Sequence, residues 1–112
     1  MERIRRKQMS AFLEEFLAKY EGHQHSRKRE GIERFLKFVG KDIETIVREY
    51  RGAEDKNEWA REYGNELVKF YKYLLSRGYA INTARTWTVP FRSFCREKPI
   101  PLIIPRKEEE GK

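Results

Sequence analysis

The apolar positions of this chain fall into five groups, and within each group they recur at three- and four-residue spacing. Met9, Phe12, Leu13, Phe16, Leu17 and Tyr20 repeat at i, i+3, i+4 and i+7, which predicts an amphipathic helix over 9–20. Gly22 is expected to stop it. Ile32, Phe35, Leu36 and Val39 give a second helix from Ser26, a candidate N-cap, to Val39, with Gly40 ending it. Ile43, Ile46, Val47 and Tyr50 form a short third helix over 42–50, capped by Asp42, and "GAEDKN" reads as the loop after it. The fourth helix, over 57–77, is the longest. It points Trp59, Tyr63, Leu67, Phe70, Tyr71, Leu74 and Leu75 inward, and Gly78 suits the position after its end. Asn82 would cap a fifth helix, over 82–96, with Ala84, Trp87, Phe91, Phe94 and Cys95 on its core side. No segment reads as a strand, so the expected fold class is all-α, a compact bundle of four to five helices.

Two stretches break the pattern. Pro90 lies in the middle of the fifth helix, where proline ordinarily costs about 3 kcal/mol. It implies a kink, two helical pieces or a tolerated bend. After the fifth helix, "KPIPLIIPR" carries three prolines, which forbid regular helix and favour an extended linker. Its isoleucines and Leu102 are apolar for a tail; either they pack back on the bundle or they dock elsewhere. The expected organisation is a basic arm at 1–8, a helical domain at 9–97 and a proline-rich linker at 98–112.

Charge changes this picture from a bundle to a candidate polyanion binder. The 112 residues carry a net charge of +7, and it is segregated. Residues 67–107 hold nine basic residues against one acid, whereas 42–66 hold four against eight. A one-sided positive field favours an extended polyanion. In the fifth helix, Arg85, Val89, Arg92 and Arg96 fall in a stripe about 60° wide, away from the apolar side. No acid sits at i±4 to neutralise it. Asn82, Thr83 and Arg85 crowd the expected first turn, where free N–H groups and the helix dipole favour an anion. In the fourth helix, Asn65, Lys69, Lys72 and Ser76 oppose the apolar face, and its acidic start suits the dipole without any functional role. Arg27 and Lys28 stand at the expected start of the second helix, again where a cation is better placed beside an anion.

Other chemistries find little material. One cysteine, Cys95, excludes an internal disulfide and suits a reducing, cytoplasmic setting. His23 and His25 read as loop histidines, no acidic spacing suits calcium, and no phosphate-loop or hydrolase motif occurs. No apolar run reaches the length of a membrane span. The expectation is a chain without catalysis of its own, without metal or cofactor, and with no membrane partner.

"FYKYLLSRGYAINTARTWTVPFRSFCRE" resembles the core-binding domain of tyrosine recombinases, the phage-integrase family. The matching residues are Phe70, Leu74, Leu75, Gly78, Asn82, Thr83, Arg92, Ser93 and Phe94. "IERFLKFVGKDIETI" is similar to the family's second helix and following turn through Phe35, Phe38 and Ile43, and "KPIPLIIPR" to the segment leading to the catalytic domain. The resemblance implies a SAM-like helical bundle that closes over one side of a duplex half-site, with double-stranded DNA and the parent protein's catalytic domain as partners. That catalytic domain, with its arginines, histidine and tyrosine nucleophile, would lie beyond this chain, and the isolated domain would be monomeric. It also implies DNA contacts from 65–77 and from 82–96. The DNA-binding residues expected from charge and resemblance together are Arg27, Lys28, Lys69, Lys72, Ser76, Asn82, Thr83, Arg85, Arg92 and Arg96. A rival reading is a protein–protein module using the apolar tail 100–104 and the acidic block 54–66. An RNA binder is a third, disfavoured because the aromatics follow core periodicity.

Overall fold

The computed structural model describes residues 11–104. It contains five helices, α1 (Ala11–Leu17), α2 (Gly22–Val39), α3 (Ile43–Gly52), α4 (Lys56–Ser76) and α5 (Ile81–Glu97), and no strand among the described residues. The all-α expectation therefore holds, with each helix close to its expected place. Met9, the basic arm and the end of the tail lie outside the described residues.

The core is built from the predicted faces. Phe35, Phe70, Phe91 and Phe94 are among the largest fully buried side chains, together with Leu17, Ile32, Ile43, Ile46 and Leu74. Phe35 joins α2 to both long helices, with ring centroids 5.5 Å from Phe70 and 4.5 Å from Phe91. Each ring of this size removes enough apolar surface from water to be worth about 2–3 kcal/mol. Tyr71 and Leu75, expected inward, are only partly buried on the flank of the core.

The helix ends show where local chemistry was read well and where it was not. Asp42 caps α3, accepting from the Thr45 N–H at 2.8 Å. Asp55, expected in a loop, caps α4 by accepting from the Glu58 N–H at 3.0 Å. Gly40 closes α2 with φ +78°, and Gly78 follows α4 with φ +100°, both in the left-handed region that favours glycine. Ser26 is not an N-cap: α2 begins four residues earlier, after Glu21, so Gly22 opens that helix and does not end α1, which stops at Leu17. Asn82 is not one either, because Ala80 holds the cap position of α5. Gly52 lies inside α3, and His23 and His25 lie in the first turns of α2 and not in a loop.

Pro90 does not split its helix. α5 runs unbroken through it, and the ring is buried against α2. It sits over Gly31: a Cβ added there would lie 2.4 Å from Pro90 Cγ. Glycine on one helix and a flat, rigid ring on the other let α2 and α5, the most extensively packed pair, approach closely. At the other end of α5, α1 lies across it. Phe16 meets Phe94 edge-on at 5.7 Å, Lys19 pairs with Glu97, and Lys98 pairs with Glu15 at 3.2 Å.

The tail packs back, as one of the two sequence alternatives allowed. Ile100 is buried, and its N–H donates to the Cys95 carbonyl. The Ile103 N–H donates to the Ala60 carbonyl at 3.2 Å. Gly64 of α4 lies directly beneath: a Cβ there would sit 1.9 Å from the Ile103 carbonyl oxygen. Residues 98–104 thus form a strap across α4 and α5 and not a free linker.

Candidate nucleic-acid interface

The α5 stripe is exposed as its spacing predicts. Arg85, Val89, Arg92 and Arg96 all face solvent, while Ala84, Phe91, Phe94 and Cys95 are buried. Among the described residues no carboxylate pairs with Arg85, Arg92 or Arg96. By contrast, Arg29 and Arg34 on α2 pair with Glu33 and Glu30 at 3.2 and 2.9 Å. At 1.5 Å per residue, Arg85 and Arg96 lie about 16 Å apart along the axis. That exceeds the ~12 Å width of a DNA major groove, so the stripe is long enough to reach phosphates on both its sides.

The helix boundaries alter one argument for this face. Because α5 begins at Ile81, Arg85 is its fifth residue and lies just beyond the first turn. Asn82 and Thr83 remain in that turn, exposed. Arg27 and Lys28 are likewise displaced from the end of α2, whose first residue is Gly22. The dipole effect fades within one turn. The case for an anion at these arginines therefore rests on their mutual repulsion and missing counter-charges.

The crossing of α2 over α5 brings two of the expected residues beside the stripe. Arg27 and Lys28 line a cleft of about 450 Å³ together with Tyr20, Trp87, Val89 and Pro90. Lys28 Nζ lies 5.2 Å from the centre of the Tyr20 ring, a cation–π contact, and Arg27 is exposed. Gln24 and Thr86 complete the lining, which contains no acid. Thr86 Oγ1 donates to the Asn82 carbonyl at 2.9 Å. Further along, Arg92 and Arg96 border a second cleft, of about 390 Å³, whose other side is the strap from Pro99 to Ile104.

Two of the α4 residues are engaged within their own helix. Lys69 is exposed but has Glu66 at 3.7 Å, and Ser76 donates its hydroxyl to the Tyr73 carbonyl at 2.7 Å. Lys72 is exposed. No described contact joins Lys69 or Ser76 to Arg27, Lys28 or the α5 stripe. The groove that α4 shares with α2 is a different one, of about 740 Å³, lined by Phe38 and Tyr73 with Glu30 and Glu33.

The perturbed ionisable groups lie in the scaffold. Lys41 donates to Glu49 at 2.9 Å and to Tyr63 at 3.1 Å, and Tyr63 donates to Glu49 at 2.8 Å. Burial pushes the Tyr63 phenol up to about 12. Burial also opposes the charge on Glu49, but its bonds to Lys41 and Tyr63 win and hold its carboxyl below the usual range. Cys95 is a buried core side chain, and burial alone pushes its thiol up to about 12. Among the described residues there is no cluster of metal-ligating groups, and no helix is long and apolar enough to cross a membrane.

Sequence reasoning missed the roles of Tyr20 and Trp87. Both fit a core period, and nothing local says that the α2–α5 crossing leaves them at the edge of a cleft. Comparison with known protein families, curated proteins and solved structures finds no match.

Proposed function

We propose that this chain binds double-stranded DNA through the outer face of α5, flanked by Arg27 and Lys28 of α2. The observation that carries this reading is the exposed line of Arg85, Arg92 and Arg96 without carboxylate partners among the described residues. Three guanidinium groups on one helix face repel one another, and a phosphate backbone offsets that repulsion while releasing its own counterions. Phosphate contacts from these arginines, with Thr83 and Asn82 at the start of α5, would supply affinity without fixing a sequence. Lys69, Lys72 and Ser76 belong to this reading as secondary contacts from α4. The chain's likeness to a recombinase core-binding domain rests on its own residues. In that form of the proposal, the module grips DNA beside a catalytic domain and performs no chemistry.

The structure weakens the rival protein–protein reading at one point. That reading used the apolar tail, of which Ile100 is buried and Leu102 half-buried against the chain's own helices, while Ile103 and Ile104 stay exposed.

The test is a fluorescence-anisotropy titration of a labelled duplex over a range of salt. The five cations of the primary face, Arg27, Lys28, Arg85, Arg92 and Arg96, predict a log–log salt slope of about −4.5, steepening toward about −6 with Lys69 and Lys72 engaged. Arg85→Glu with Arg92→Glu should abolish measurable binding while leaving the circular dichroism spectrum unchanged. Salt-independent binding, or full retention by the double variant, would overturn the proposal.

A further inference from the structure

The cleft between the start of α2 and the middle of α5 differs chemically from the other two. The α2–α4 groove contains Glu30 and Glu33, and the cleft under the strap is walled by the strap itself. This one has aromatic side chains in Tyr20 and Trp87, cations in Arg27 and Lys28, and no acid. Its volume of about 450 Å³ lies within the range of small-ligand sites. Arg27 has no ion-pair partner among the described residues, and the Gln24 amide has no described hydrogen bond. Flat rings, apolar walls, uncommitted amide donors and acceptors, and positive charge at the rim are the requirements of one nucleotide: a base to stack, an edge to hydrogen-bond and a phosphate to neutralise.

The cleft also adjoins the duplex-binding face. Val89 belongs to both, lying in the exposed stripe and in the cleft lining. A duplex lying on Arg85 and Arg92 would therefore pass beside the cleft mouth. A paired base cannot enter, because its faces are stacked and its edge is engaged.

We infer that the Tyr20–Trp87 cleft accepts a single unpaired nucleotide of the DNA strand held by α5, with the base against the aromatic side chains and its phosphate on Arg27 and Lys28. This deepens the duplex-binding reading and rests on it. It makes the protein a reader of DNA distorted by one extruded base, and not only of smooth duplex. Stacking on an aromatic side chain gives an expected preference of roughly ten-fold for DNA that offers such a base.

The experiment compares a blunt duplex with the same duplex carrying one bulged nucleotide, by anisotropy at fixed salt. The wild-type chain should bind the bulged duplex about ten-fold more tightly. Tyr20→Leu should bind both duplexes alike, with the wild-type affinity for the blunt one. Gln24→Glu provides a second arm at an exposed position: it brings an anion into an acid-free cleft and should also erase the preference. Equal wild-type affinity for the two duplexes would overturn the cleft assignment and leave duplex binding standing. Failure to bind either duplex would overturn both. A free deoxynucleoside monophosphate binding as tightly as the bulged duplex would overturn the strand-borne assignment, because the cleft would then be a free-nucleotide site.

Discussion

Gly31→Ala isolates the contact that sets the α2–α5 crossing, and two simple arguments give it opposite signs. Replacing a glycine in a helix interior by alanine ordinarily stabilises by about 0.5–1 kcal/mol, because the unfolded chain loses freedom. At this position the new Cβ would lie 2.4 Å from Pro90 Cγ, about 1 Å inside ordinary contact, and 3.1 and 3.2 Å from the ring's Cβ and Cδ. The obstacle is not the end of a flexible side chain. It is a closed ring fixed to the backbone on the buried side of α5, so the whole of α5 must move. Overpacking of this kind typically costs about 1–3 kcal/mol, which exceeds the propensity gain. For a domain of this size the melting temperature should fall by roughly 5–15 °C, measured by far-UV circular dichroism. The control is the same substitution in a Pro90→Ala background. There Cγ and Cδ are gone and, of those three contacts, the 3.1 Å one remains, so the penalty should shrink by about 1 kcal/mol or more. A Gly31→Ala protein that melts higher than wild type, by the same amount in both backgrounds, would refute the account of Pro90 as a packing surface.

Stability should decline on the alkaline side. The folded state holds the Cys95 thiol and the Tyr63 phenol up at about 12 by burial, so the unfolded chain releases these protons first. Their contribution is complete below about pH 9 and is lost as pH rises toward 12, at no more than about 1.4 kcal/mol per pH unit for each group. Cys95→Ala should remove the part of the decline that begins near pH 9, measured by urea unfolding at stepped pH; an unchanged slope would contradict the burial argument. Gly64→Ala should detach the strap while sparing the bundle, because its Cβ would strike the Ile103 backbone. The readout is faster hydrogen exchange at the Ile103 amide with little change at amides in the middle of α4, and protected exchange at Ile103 would refute it.

The elements most legible in the sequence were those fixed by short-range pattern. Helical period named nearly all the buried residues, since Phe35, Leu67, Phe70 and Phe94 have no other face on which to sit. The caps were legible only where one side chain decides the matter, as at Asp42. Ser26 and Asn82 carry the right chemistry for a cap, yet α2 and α5 begin earlier, after Glu21 and Ala80, where no side chain bonds to the helix end. The exposed arginine stripe was legible because it is a property of a single helix. The cleft beside it was not, because it depends on how two helices cross, and that crossing is set by Gly31 and Pro90 from opposite ends of the chain. Pro90 in particular reads as a defect until its partner is known. The tail was ambiguous for the same reason: its anchors are the Ala60 carbonyl and the empty space above Gly64, which no pattern within 98–104 announces.

The strap has a mechanical consequence. Its two anchors are single hydrogen bonds, from Ile103 to Ala60 and from Ile100 to Cys95, in series along the chain. Tension applied beyond residue 104 would peel the Ile103 bond from α4 first, and would reach the last turns of α5 only through the Ile100–Cys95 bond. A tug from that direction thus meets one sacrificial link on α4 before it reaches the arginine-bearing helix, as a fuse yields ahead of the circuit.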